Sequence, residues 1–160
     1  MLNEIVKSCY KCVNAPCIIG CPLHHNIPKI MKLYQDELYL DAFNELFKNN
    51  PLLGICGDLC PHEEQCASNC RYYIKNNKRI KFNEIEKDLM NRFDIFDFKF
   101  PKVTSTTVII VGAGPAGLAS AIRLRQNGFK VTLCEKEDHI GGVVQYQIPK
   151  HRYDSDYLNK

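Results

Sequence analysis

No stretch of this chain approaches the ~20 consecutive apolar residues that a membrane-spanning helix needs. Its opening, MLNEIVKSCY, has no hydrophobic core of a secretory leader. Both absences predict a cytoplasmic protein, whose thiols stay reduced. A strong charge of either sign is also missing: 21 Lys and Arg against 18 Asp and Glu leave a net charge of +3. So mild a surplus predicts no nucleic-acid partner and no membrane partner. There is no low-complexity tract, and no internal repeat beyond a pair of cysteine runs. What remains is 160 residues, 45% hydrophobic and 24% charged, an ordinary globular composition that suits one or two small domains.

Cysteine is what the chain has in quantity, nine in all. Cys9, Cys12, Cys17 and Cys21 follow the spacing C-x2-C-x4-C-x3-C-P. Cys56, Cys60, Cys66 and Cys70 follow C-x3-C-P-x4-C-x3-C. Three chemistries use such spacings. Disulfides belong to oxidising compartments, which a chain without a secretion signal does not enter. Structural zinc also uses close cysteine pairs and stands as an alternative. Iron–sulfur ligation fits best. The ferredoxin run C-x2-C-x2-C-x3-C-P has the same ending, and its last cysteine ligates a second cluster. Close pairs let one loop reach neighbouring irons of a cube, and a distant fourth thiolate ties two chain segments together. The spacing therefore predicts two iron–sulfur clusters that cross-link a unit too small for a large core.

Helical patterns flank these runs. Residues 1–8 read as a short lead-in helix with Leu2, Ile5 and Val6 on one side, and 9–25 as a cysteine loop. Asn26 precedes Ile27-Pro28, a helix start, and Ile30, Met31, Leu33 and Tyr34 recur at helical spacing. A second helix is expected at 39–48, burying Ala42, Phe43, Leu46 and Phe47, before Asn49-Asn50-Pro51. The run RYYIKNNKRIK after Cys70 reads as a solvated loop. In FNEIEKDLMNRF, Phe82, Ile85, Leu89 and Phe93 make an apolar stripe with Glu86 beside it. Residues 94–106 read as a linker. His24, His25 and His62 are expected to be loop histidines, Cys56 a small buried residue, and Cys134 a core residue.

From Val108 the pattern changes. Val108-Ile109-Ile110-Val111 is a short apolar run, as in a buried parallel strand. The loop Gly112-Ala113-Gly114-Pro115-Ala116-Gly117 follows, then a helix ending at Gly128, then a strand closing on Glu135. A lone glycine fingerprint is weak evidence; one between a strand and a helix, with an acid at the end of the next strand, is a dinucleotide site. Gly112 makes the turn, Gly114 admits the pyrophosphate, and Gly117 allows helix and strand to pack. The helix N-terminus offers free N–H groups and partial positive charge. Glu135 is expected to accept the ribose hydroxyls, which argues against a 2′-phosphate. The motif alone does not separate NAD from FAD. The fold class expected is α+β: an all-α cluster-binding domain at 1–100, then an incomplete Rossmann-like βαβ unit at 107–160.

The ordered cysteines, Ile85-Glu86, VGAGPAGL, Glu135-Lys136, Gly141-Gly142 and Ile148-Pro149 together resemble two related families. These are the small (beta) subunit of NADPH-dependent glutamate synthase and the N-terminal region of dihydropyrimidine dehydrogenase. The likeness covers nearly the whole chain, and Leu23-His24-His25-Asn26-Ile27-Pro28 favours the former. It implies two 4Fe-4S clusters with crossed ligands: Cys9, Cys12, Cys17 and Cys70 for one, and Cys21, Cys60, Cys66 and Glu86 for the other, with Cys56 unligated. It implies FAD at Gly112, Gly114, Pro115, Ala116 and Gly117, with Gly142 and Arg152 near the flavin. Full-length relatives take a hydride from NAD(P)H and send electrons through FAD and the clusters to a partner subunit or domain carrying a second flavin. Cofactors do that chemistry, so no catalytic acid–base residue is expected. The family also has a separate NAD(P)H domain, and the chain stops at Lys160 before one. An N-terminal fragment or split gene product is therefore expected, inactive alone, with a non-catalytic cluster-binding module as the alternative.

Overall fold

The computed structural model describes residues 2–158. It divides into two compact units, one running to Asp94 and the other beginning at Ile95.

The first unit is helical: α1 (Leu2–Ser8), α2 (Pro16–Ile19), α3 (Ile27–Gln35), α4 (Tyr39–Phe47), α5 (Leu53–Leu59), α6 (Arg71–Asn76) and α7 (Phe82–Arg92). Its core is built where the apolar spacing put it. Ile30 and Met31 of α3, Phe43 and Leu46 of α4, and Ile85 and Leu89 of α7 are almost wholly buried. The side chain of Asn26 caps α3 by accepting from the Lys29 N–H, satisfying one of the free donors at a helix start. Phe93 lies just past the end of α7 and still packs on Phe43, with ring centroids 5.6 Å apart. Tyr34 Oη donates to Asp88 Oδ2 at 2.6 Å, which ties α3 to α7.

Three features depart from the sequence reading. α2 interrupts the expected cysteine loop. α5 was not expected, because the two glycines in LGICGDL are poor helix formers. It forms because Leu53, Gly54, Ile55 and Gly57 pack inward. Gly57 faces α7 so closely that a Cβ there would meet Glu86 Cβ at 3.6 Å, and Lys87 reaches Asp58 at 2.8 Å across the same contact. α6 replaces the expected loop after Cys70. It buries no residue, yet Tyr72 stacks edge-on against Tyr10 at 5.5 Å and Asn76 donates to Tyr10 Oη.

The second unit holds β1 (Thr107–Val111), α8 (Pro115–Gln126), β2 (Lys130–Cys134) and α9 (Val143–Tyr146), with 3-10 turns at Ile95–Asp97, Lys150–Arg152 and Ser155–Leu158. β1 and β2 pair in parallel, Thr107 opposite Lys130 and Val111 opposite Cys134. The expected burial of both strands is not met. Thr107, Ile109 and Val111 on one face of β1 are exposed, Val111 at 87%. Cys134, expected in the core, is exposed as well. The reason is the period of a strand: only alternate residues face α8, and the other face of the described pair meets water. Residues 94–106, read as a linker, partly dock within this unit. Arg125 donates to Pro101 O at 2.9 Å, its guanidinium lies over Phe100, and Thr104 N donates to Gly128 O.

The helical core should carry most of the first unit's stability. Leu46→Ala, at a site with no solvent exposure, is expected to cost about 3 kcal/mol, read as a lowered urea midpoint with unchanged slope.

Candidate metal centres and nucleotide site

The two cysteine runs meet at Gly20. A Cβ there would lie 2.6 Å from Asn69 Nδ2 and 3.0 Å from Gln65 O, so the first run presses closely against the second and a larger residue would make the Asn69 side chain move. Cys9 follows directly on α1, and Cys17 sits within α2. Cys60 is the residue after α5 and Cys70 the residue before α6. The helix ends thus hold the thiols at the places where the chain turns.

Two groupings result. In the first, burial pushes the Cys17 thiol up to about 12, and negative charge on Cys70, Cys9 or Cys12 would push it further. Cys9 is raised by burial too, partly offset by a backbone hydrogen bond at Lys11, and it also feels Cys70 and Cys12. Cys70 therefore stands among Cys9, Cys12 and Cys17, although 53 residues separate it from Cys17. In the second grouping, burial raises Cys66 to about 12 and Cys60 to about 11, and both feel Cys21 and Glu86. Cys21 of the first run thus lies near Cys60 and Cys66 of the second. The groupings adjoin. Cys66 also feels Cys17, and Cys9, Cys17, Cys66 and Cys70 line one cavity with apolar side chains.

Among the described residues, no three His, Cys, Asp or Glu side chains close around a single metal ion. Zinc would need its thiolates about 2.3 Å from one point, whereas a cube spreads its ligands over four corners. The donors present, thiolates with one carboxylate, suit iron. Raised thiols hold their protons, so metal must displace protons to bind.

Glu86 is not a helix-surface acid. It is 7% exposed, on the buried face of α7 beside Ile85, and burial alone pushes its carboxyl up to about 8. His25 departs from the loop-histidine reading. It is 2% exposed, and its Nδ1 lies 3.6 Å from Glu86 Oε1. Burial lowers the imidazole to about 4, against a smaller opposing pull from Glu45. At neutral pH the two groups are thus a neutral contact and not an ion pair, despite their proximity. Cys56 also lies beside this grouping, where it feels Glu86 and Cys21. His24 is exposed, with Nδ1 3.2 Å from Ile18 O, and His62 Nδ1 lies 3.4 Å from Cys60 O. The placement of His25 had no signal in the sequence beyond its position just before a helix start.

In the second unit the glycine loop leads from β1 into α8, with Gly114 as N-cap and Pro115 at the first helical position. A Cβ on Gly117 would stand 1.8 Å from Gly112 O, so the loop closes only around glycine. Gly142, at φ +52°, packs against Gly114 Cα, and Gly141 N donates to Ala113 O. Glu135 is more engaged than expected. Its Oε2 accepts from Ala113 N at 2.6 Å and its Oε1 from Lys136 N and Glu137 N. Those backbone donors hold its carboxyl below the usual range, and they stitch the end of β2 to the glycine loop. An open groove runs between Glu135, Lys136, Glu137, Gly142 and Tyr146. Ala116 is exposed at the start of α8. Arg152 is exposed on its 3-10 turn and is not among the residues lining that groove.

Residues 3–95 match the family model for dihydropyrimidine dehydrogenase domain II, 4Fe-4S cluster. The chain belongs to that family. In this domain II chain, residues 110–157 also match an NAD(P)-binding Rossmann-like domain. The glutamate synthase (NADPH) small chain of Mycobacterium tuberculosis is 32% identical, over 99% of this chain and 33% of that protein. That of Azospirillum brasilense is 28% identical, over 99% and 34%. The Escherichia coli protein named "Putative oxidoreductase YgfK" is 32% identical, over 92% of this chain and 14% of its own length. The domain II chain thus spans about a third or less of these relatives. No helix among its described residues is long and apolar enough to cross a membrane.

A pH test follows for metal-free protein. Burial raises Glu86 from its ordinary 4.5 to about 8, so its contribution to stability is full below 4.5 and is lost as pH rises through 8. His25, lowered from 6.5 to about 4, has the opposite sign, and its contribution is complete above 6.5. Between pH 6.5 and 8 only Glu86 of this pair acts. The urea midpoint should fall across that window, and Glu86→Gln should flatten it.

Proposed function

We propose that this chain is the electron-carrying front portion of an NAD(P)H-dependent oxidoreductase of the glutamate synthase small-subunit type. In this reading Cys9, Cys12, Cys17 and Cys70 hold one 4Fe-4S cluster. Cys21, Cys60, Cys66 and Glu86 hold the other. The glycine loop, Glu135 and Gly142 hold FAD, and Arg152 lies towards the flavin. When bound, these groups convert the two electrons of a hydride from NAD(P)H into single electrons for a partner carrying a second flavin.

The protein's own residues bind, space and insulate. Cys66 is buried and the other cluster thiols are half-buried, and Ile27, Ala67, Ile80 and Phe82 give Cys9, Cys17, Cys66 and Cys70 a partly apolar surround. The free N–H groups at the start of α8 and the bare glycine backbone receive a pyrophosphate. Glu135, kept ionised by backbone donors, retains a lone pair on Oε2 for a ribose hydroxyl. We place the protein in the cytoplasm, where free thiols persist. The observation that carries this reading is the crossing of the two runs, with Cys70 among the thiols of the first and Cys21 among those of the second. A pyrimidine-reducing partner is the second reading, favoured by the description of the matching family.

Anaerobic reconstitution with iron and sulfide is the test. Wild type should take up about eight irons and eight sulfides, two cubes' worth. Cys70→Ser should lose about half of this, and Cys56→Ser none. A colourless protein holding zinc in place of iron would overturn the reading. For the nucleotide site, Gly117→Ala should abolish flavin retention and leave the iron count unchanged.

A further inference from the structure

We propose that His25 is a positioning residue for Glu86: its Nδ1–H holds one carboxylate oxygen and leaves the other to face iron. The proposal rests on the reading of Glu86 as the fourth ligand of the second grouping. Three observations carry it. First, Nδ1 stands 3.6 Å from Oε1, just outside hydrogen-bond range, so a small rotation of the Glu86 side chain closes the bond. Second, both groups are removed from water, His25 at 2% and Glu86 at 7% exposure, and a buried polar group without a partner is costly. His25 Nε2 has no hydrogen-bond partner among the described residues. Once metal has displaced the Glu86 proton, the carboxylate facing Nδ1 selects the tautomer with its proton on Nδ1. Third, His25 is held from both sides. Ile27 N donates to its carbonyl at 2.8 Å, and the next residue, Asn26, caps α3. The imidazole thus projects from a fixed turn towards a fixed helix.

A carboxylate can meet a metal through one oxygen or two, and its outer hydrogen bond decides which. A donor on the outer oxygen would favour binding of a metal through the other oxygen alone. It also stabilises the extra negative charge of a reduced cluster, which raises that cluster's reduction potential. The function proposed above does not require this contact, and a purely packing histidine would not move a potential.

The test uses the whole chain, reconstituted anaerobically with iron and sulfide and followed by paramagnetic resonance during redox titration. His25→Leu, similar in bulk and without a donor, should lower the midpoint of one cluster and alter its spectrum, leaving the other unchanged. His25→Gln, which keeps an N–H, should return the midpoint most of the way to wild type. With Glu86→Cys in the background, His25→Leu should shift nothing further, because the carboxylate it acts on is gone. An unshifted midpoint in folded His25→Leu overturns the proposal. So does a shift that persists alongside Glu86→Cys. Glu86→Cys is read by itself as well: if it leaves both spectra as in wild type, the ligand reading of Glu86 fails, and this proposal with it. Should His25→Leu lose its helical circular dichroism, His25→Met makes the same comparison.

Discussion

The backbone of Gly20 pressed against Gln65 and Asn69 is the contact on which the helical unit turns. It is a steric constraint before it is a chemical one. A side chain at Gly20 would have to displace the Asn69 amide and crowd the Gln65 carbonyl. Across this contact Cys70 lies near Cys9 and Cys17, and Cys21 near Cys60 and Cys66. The first run alone brings Cys9, Cys12 and Cys17 together, and the second brings Cys60 and Cys66 together. The crossing converts two incomplete sets into two fuller ones, and it fastens the N-terminal loop to a segment some fifty residues downstream.

Gathering thiols and a carboxylate away from water has an electrostatic consequence. Burial raises every shifted cysteine of both groupings, and Glu86 with them. Without metal these shifted groups hold their protons at neutral pH. That suits a small core, since uncompensated buried charge would cost far more than the helices Ile27–Gln35, Tyr39–Phe47 and Phe82–Arg92 return by packing. The same protons must leave for iron to enter, so folding and metal binding are coupled through protons as well as through loop closure. The nucleotide loop solves a different problem with backbone alone. Gly117 lets the turn close, and Glu135 staples the loop to the end of the second strand.

Much of this was legible beforehand because it is local. The caps and apolar spacing of Ile27–Gln35, Tyr39–Phe47 and Phe82–Arg92 are properties of short windows, and so is the strand–glycine–helix order from Val108. Less legible was anything that depends on a distant surface. The helix Leu53–Leu59 carries two glycines that weaken it as a helix by itself, and it packs against Phe82–Arg92. Arg71–Asn76 looked like solvated chain until Tyr10, sixty residues earlier, stacked on Tyr72. Cys134 and Val111 read as core because apolar character says nothing about which face of a strand is covered.

The sequence by itself determined the chemistry available: thiols in two spaced runs, one acid on an apolar stripe, a glycine loop followed by an acid. Those are choices of residue and interval, and an interval of a few residues fixes what one loop can reach. Only the tertiary structure decided that Glu86 and His25 face each other out of water, and that Glu135 grips its own loop. These are relations between segments far apart in the chain. They arise from packing, where a missing side chain such as that of Gly20 counts for as much as a present one.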